Sequence, residues 1–375
     1  MNFLRQSRQT LDRYLPGLDK QLADIPLADL EKPGNDGLSL FRQAGGPSLL
    51  VPTELGGLGA SMVDAVHVQR AVGSRSPSLA VATTMHHFSV ASLVELDAAG
   101  DGLEWAMLGA LATNNWLLSS GFAEGRPGQH ILSPTMKATV TDGGLIVNGT
   151  KKPCSLTWSM DLMSASVAVV DPAGGPDRMA VVLIPASSDG IERKKFWQSW
   201  VLGGAESDEV VLHDVTVPDA LVFYPTDGPT MDPIQGRGFI WFEVLISAAY
   251  VGAASGLVER VLAGGRGSAE DRALLAIELE ATTAALEQVA ATAAAGDGDL
   301  SAQLAQALYV RYAAERAIER VAMAAASVGG GMAFIGSSDV AYLLAASRAL
   351  AFHPPSRTGA SEALARHLSG AELTL

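Results

Sequence analysis

The sequence predicts an α+β chain in three parts: a helical N-terminal domain over 1–117, a central antiparallel β-barrel domain over 118–225, and a C-terminal domain like a four-helix bundle over 226–375. Three observations predict it. Apolar residues recur at helical spacing at both ends of the chain, apolar and polar residues alternate through its middle, and glycine- and proline-rich stretches separate the two textures. A length of 375 residues suits two or three domains, each able to bury its own core.

In the first part the helical spacing starts at Leu4 and is broken at Pro33-Gly34 and by VPTELGGLGA over 51–60. The opening MNFLRQSRQTLDRYLPGL scatters charges over an amphipathic helix pattern and does not read as a signal peptide. In the middle, LIVNGT, SASVAVV, MAVVLIP and DEVVLHDVTVP are β-rich runs parted by DGG, DPAGG and SSDG. Asn148-Gly149 is a hairpin-type turn signal. After the connector YPTDGPTMDPIQGRG the chain is helical again from Phe239, rich in alanine, with a break at AAAGDGDL. Helices such as LEATTAALEQVAATAAA let backbones approach closely and fit a bundle packed on neighbouring subunits.

Bulk composition narrows the function. A net charge of -14, with no basic cluster, excludes a nucleic-acid binder, which needs a positive field to displace phosphate counterions. Hydrophobic residues at 48% against charged residues at 18% point to a surface covered by other protein, and so to a homo-oligomer. No apolar run is expected to span a bilayer, and a cytoplasmic protein is expected. The lone Cys154 excludes an internal disulfide and a cysteine metal cage, and nothing beside His86-His87 completes a ligand set, so no metal is expected.

Several strings carry a closer likeness. VPTELGGLGASMVDAV, GGLIVNGTKKPCSLTWSMDLMSASVAVV, WVLGGAESDEVVLHDVTVP, GGGMAFIG and the terminal LARHLSG fall in an order that resembles the acyl-CoA dehydrogenase superfamily over nearly the whole chain. The resemblance implies a flavin. SSGFAEGRPGQH matches the strand and loop that lay backbone amides on the ring, which makes Phe122, Ala123, Gly128 and Gln129 candidate contacts. Ala123 stands where the family has a hydroxyl residue, and Gln129-His130 where it has Ser-Asp. On the facing strand Ser155 takes the place of a ring-contacting threonine, with Cys154 beside it, while Pro153 replaces a stacking aromatic. The family's Arg-x-x-Phe-Gly element is skipped by GLVERVLAGGRG, leaving Arg266 and Arg272, and Gly330 and Gly331 offer bare backbone for a pyrophosphate. FAD is therefore expected, held weakly at its adenosine end and replaceable by FMN. The bland alternative is a barrel that keeps these turn residues for folding alone.

The family's catalytic glutamate is missing. Aligned without gaps, Pro354 stands at the glutamate and Pro355 at the following glycine, with His353 beside them. On the helix opening the C-terminal domain, Glu243 lies one turn from the position where some relatives place the base. An apolar setting would raise its pKa. Glu243 and His353 are thus the candidate bases, with an interface ion pair and a polar plug in a proline turn as their structural alternatives. Three functions stay open: a flavoenzyme acting on an acyl thioester of CoA or a carrier protein, placed first; a two-component monooxygenase fed by a flavin reductase; and a non-catalytic subunit.

Overall fold

The apolar stripes of the first helices close on one another before the chain reaches its sheet. The computed structural model describes residues 2–100, 102–125, 133–226, 231–296 and 298–374. It opens with α1 (Arg5–Tyr14), α2 (Leu18–Ala23), α3 (Leu27–Leu30), α4 (Gly37–Gln43), α5 (Met62–Arg75), α6 (Pro77–Ala99) and α7 (Glu104–Asn114). The two long members start on strong signals. A capping box of Ser61 and Asp64 begins α5, and Ser76 caps α6 with Pro77 in its first turn.

Eight strands follow: β1 (Leu118–Gly121), β2 (Lys137–Thr141), β3 (Gly144–Cys154), β4 (Leu162–Val169), β5 (Arg178–Pro185), β6 (Ile191–Lys194), β7 (Asp208–Pro218) and β8 (Val222–Phe223). They form one sheet in the order β6-β7-β3-β2-β4-β5-β8, with β1 against β4. The ladder runs from β6 to β8 and does not close, so the expected antiparallel barrel is an open sheet. It is also mixed. β1 and β2 both run parallel to β4 and share one edge of it, β1 along Leu162–Ala165 and β2 at Ala168 and Val169. β1 arrives from a helix, not a hairpin, which frees it to run parallel. β4 is buried along its whole length, as its near-continuous apolar run requires of a strand covered on both faces.

Asn148-Gly149 makes no turn. The pair lies inside β3, where the register against β7 shifts between Val147 and Gly149, a β-bulge. Gly149 has φ 141° and sits on Met136, whose Cγ would be 2.6 Å from an added Cβ. The Asn148 side chain is spent on Asp214, donating to its carboxylate and accepting its backbone N–H, each at 2.9 Å.

The last part holds α8 (Pro233–Ala263), α9 (Ala269–Ala294), α10 (Leu300–Gly336), α11 (Ser338–Ser347) and α12 (Arg357–Leu368). α8 is the axis, packed on α5 and α6 from one side and on α9, α10 and α11 from the other. It crosses α5 at bare backbone: a Cβ on Gly73 would fall 2.2 Å from the Ala249 carbonyl oxygen, and one on Gly252 2.4 Å from that of Arg70. Two helices, α8 and α10, are long and apolar enough to cross a bilayer by length and composition, which corrects the reading that no such run exists. The α8 window is 94% buried, as a core helix is. Outer parts of α9 and α10 instead leave Leu274, Ile277, Met323, Met332 and Ile335 exposed.

Candidate active site

A cleft of about 460 Å³ opens where the three parts of the chain meet. α6 contributes Val81, Met85, Phe88, Ser89 and Ser92, which helical spacing places on one face. By the same spacing α8 contributes Ile234, Gly238, Phe239 and Phe242. The sheet supplies Ser120 and Ser164 from β1 and β4, with Phe122, Ala123 and Ser155 just past strand ends. His353 and Pro354 close the remaining side. One wall is aromatic: Phe88 lies tilted against Phe122 at 6.1 Å and edge-on to Phe242 at 5.5 Å, and Phe242 lies 6.2 Å from the His353 ring.

Formal charge is almost absent from this lining. Among the described residues the only charged side chain is Asp232, and its oxygens are engaged. Oδ1 caps α8 by accepting the backbone N–H groups of Ile234 at 2.9 Å and Gln235 at 3.1 Å, and Oδ2 accepts that of Thr226 at 2.8 Å. On the sheet side the Ser119 hydroxyl donates to the Ser155 carbonyl at 2.7 Å, and the Ser155 and Ser207 hydroxyls meet at 2.9 Å. Below them a fully buried pair, Lys151 and Glu124 at 2.7 Å, ties β3 to Thr135 and Met136, because Glu124 also accepts their backbone N–H groups at 2.9 and 3.0 Å.

The two candidate bases separate. His353 lines the cleft, half-buried, with Nε2 2.9 Å from the Tyr250 hydroxyl. Burial, and then the Arg311 guanidinium, push its ring down to about 3, so the imidazole is neutral. Glu243 does not line the cleft, which corrects its placement as a base acting there. One residue along a helix turns the side chain by about 100°, so Phe242 faces the cleft while Glu243 faces α10. There its carboxylate accepts from Arg311 Nη1 at 2.8 Å. Burial raises its pKa to about 7 against the opposing pull of Arg311.

Arg311 binds more than this carboxylate. Nη1 also donates to the carbonyls of Pro354 and Pro355 at 3.3 and 3.2 Å, and Nη2 to those of Leu350 and His353 at 3.1 and 2.6 Å. The buried guanidinium therefore clamps the turn that carries His353.

Of the expected flavin contacts, Phe122, Ala123 and Ser155 come together in the cleft, while Gly128 and Gln129 lie outside the described residues. Cys154 is not on the wall. Alternation along the strand turns it to the other face from Pro153 and Ser155, and burial pushes its thiol up to about 12. Gly330 and Gly331 are also elsewhere: Gly330 bends α10 at φ 78° on its outer part, and neither glycine borders the cleft. Sequence reasoning missed the α6 face, Tyr250, Asp232 and Arg311. Asp232 before Pro233 was a readable cap, and an arginine within an alanine-rich helix was a visible anomaly.

The wall of Ala123, Pro153, Ser155 and Ser164 is built from short side chains with hydroxyls among them, which fits a broad apolar ring with polar edges. The chain has the acyl-CoA dehydrogenase fold, and its relatives mark it as a flavin-dependent oxidoreductase. No protein-family model matches the chain. It belongs to the family of isobutylamine N-hydroxylase from Streptomyces viridifaciens, with which it is 45% identical over 381 residues covering 100% of both chains. It is also similar to dibenzothiophene monooxygenase from Rhodococcus erythropolis, 29% identical over 58% of this chain and 53% of that one. Among solved structures, KijD3 in complex with FMN and dTDP-3-amino-2,3,6-trideoxy-4-keto-3-methyl-D-glucose superposes with a TM-score of 0.85 at 20% identity, covering 99% of this chain and 96% of that one.

Proposed function

We propose that the protein is a two-component flavin monooxygenase that N-hydroxylates a small aliphatic primary amine. The observation that carries the proposal is a cleft with no free carboxylate in it among the described residues, in a chain that matches an amine N-hydroxylase along its full length. Thioester dehydrogenation needs a base within reach of one carbon. Glu243 is turned to Arg311 and the neutral His353 is a poor acceptor at so low a pKa, so that reading takes second place.

Hydroxylation needs no such base. Reduced flavin, delivered by a separate reductase, supplies two electrons while dioxygen supplies the oxygen atom. The balance is closed: one oxygen enters an N–H bond to give a hydroxylamine, the other leaves as water, and the flavin leaves oxidised. In this cleft Phe122, Ala123 and Ser155 would seat the ring, the phenyl wall would keep bulk water from it, and His353 would face the substrate. FMN is expected to serve as well as FAD, and the exposed apolar face of α9 and α10 to join copies of the chain into a homo-oligomer.

The test is oxygen uptake by the flavin-loaded protein with a flavin reductase, NADH and isobutylamine, with product analysis by mass spectrometry. The expected result is N-isobutylhydroxylamine in proportion to the oxygen coupled to the amine. Hydrogen peroxide alone, with intact amine, together with oxidation of an acyl thioester, would return the thioester reading to first place.

A further inference from the structure

Resting on the amine-hydroxylase reading, we infer that the cleft takes up its amine as the uncharged free base, its nitrogen presented to the ring N–H of His353 and not to a carboxylate. The first support is the distribution of charge. An alkylammonium carried into a low-dielectric cleft must find a counter-charge or bear a desolvation cost of several kcal/mol. α6 and the strands bring no charged side chain to this cleft among the described residues. α8 brings Asp232, already holding three backbone N–H groups, and keeps Glu243 on Arg311. α10 brings Arg311, a fixed positive charge directly behind the His353 turn. Glu95, next to the lining residue Leu96 on α6, is engaged by Arg237 and Trp241, and the connector adds Tyr224.

The second support is the polarity of His353. Tyr250 is fully buried and its hydroxyl has one partner among the described residues, Nε2 of His353 at 2.9 Å. A buried hydroxyl with one available acceptor donates to it. That assigns Nε2 as the acceptor and places the ring proton on Nδ1, which has no partner among the described residues and belongs to a ring lining the cleft. An N–H donor complements the lone pair of a free amine. It opposes an ammonium, which has donors only.

A primary alkylamine ionises near the lysine value of about 10.4, so near neutral pH only roughly one molecule in 2,500 is free base. Selective uptake of that form gives an apparent dissociation constant that falls about tenfold for each pH unit gained. The experiment measures binding to oxidised, flavin-loaded protein, apart from turnover, by the flavin absorbance change. Isobutylamine and its neutral isostere isobutanol are each titrated at two pH values, two units apart, between about 6.5 and 8.5. Expected are a roughly hundredfold tightening for the amine and none for the alcohol. His353→Phe should weaken the amine about threefold to tenfold, the loss of one hydrogen bond, and keep the pH slope. Asp232→Asn should also keep the slope.

A flat amine dissociation constant, or amine binding lost in Asp232→Asn with the alcohol unaffected, would overturn the inference while leaving hydroxylation intact. Unchanged affinity in His353→Phe would remove His353 from it. Binding with the expected slope but without hydroxylamine under turnover would leave this inference standing and overturn the reaction proposed above.

Discussion

Arg311 and Glu243 form a fully buried ion pair, yet their removal should have opposite consequences. Arg311 donates to one carboxylate and four carbonyls. Arg311→Met strands all of them, and breaking one side of a buried pair typically costs about 3–5 kcal/mol. Glu243→Gln leaves the four carbonyls in place and keeps an amide oxygen for Nη1. The folded protein raises the Glu243 pKa from 4.5 to about 7, so the group binds its proton more tightly folded than unfolded. Its contribution to stability is complete below 4.5 and is lost as pH rises through 7, a loss of about 3 kcal/mol at 1.36 kcal/mol per pH unit. Glutamine imitates the protonated acid and escapes that loss. Urea unfolding should therefore show Glu243→Gln within about 1 kcal/mol of the parent near pH 5. Toward pH 8 the variant should gain on it by up to about 3 kcal/mol. Arg311→Met should be severely destabilised at both. If Glu243→Gln instead loses as much as Arg311→Met near pH 8, the pair is held by mutual charge and the carbonyl clamp is not what solvates the guanidinium.

Phe242→Ala, which opens the wall beside His353, should cost about 3–5 kcal/mol of stability. It should also shift the preference toward longer or branched amines, read as kcat/KM across an alkylamine series. Cys154 should resist iodoacetamide in the folded protein near pH 8, since burial holds its thiol near 12, and should react at once in denaturant; mass spectrometry of the adduct decides. FMN and FAD should bind within about tenfold of each other, because the chain skips the Arg-x-x-Phe-Gly element, and two or three polar contacts to an adenosine half would be worth roughly 3 kcal/mol; fluorescence titration giving FAD a hundredfold advantage would contradict this. Light scattering should find an oligomer at micromolar concentration, and a strict monomer would remove the role given to Leu274, Ile277 and Ile335.

The order of helices, strands and helices was legible because period and turn chemistry are local properties of the chain. So was the meeting of Phe122, Ala123 and Ser155 in one place, through strings that carry the family resemblance. What could not be read was direction. Glu243 is an isolated carboxylate among Trp241, Phe242 and Val244, and nothing in that run says that it points to an arginine 68 residues away. Asn148-Gly149 has the composition of a turn, but Asp214 from a distant strand captures the asparagine and turns the pair into a bulge. Closure of the sheet likewise depends on which edges meet, and β1 and β2 sharing one edge of β4 leaves no trace in either segment. The helix α8 meets the criterion for a bilayer span for a similar reason: a core helix and a membrane helix have the same hydropathy until their neighbours are known.

The backbone crossing of α5 and α8 at Gly73 and Gly252 has a consequence for how this enzyme could diversify. α8 supplies one wall of the cleft, and α6, the next helix after α5, supplies the facing one. With α5 and α8 in contact main chain to main chain, the gap between the walls is a fixed gauge, and no side chain at the crossing can be enlarged or trimmed to reset it. A lineage changing its substrate must then work by exchanging the volumes that project into that gap, at Phe88, Phe239 and Phe242, one ring at a time. Sequence variation among related flavoenzymes should accordingly concentrate on those rings and spare the two glycines, and a designed library for new substrates should be confined to the same places.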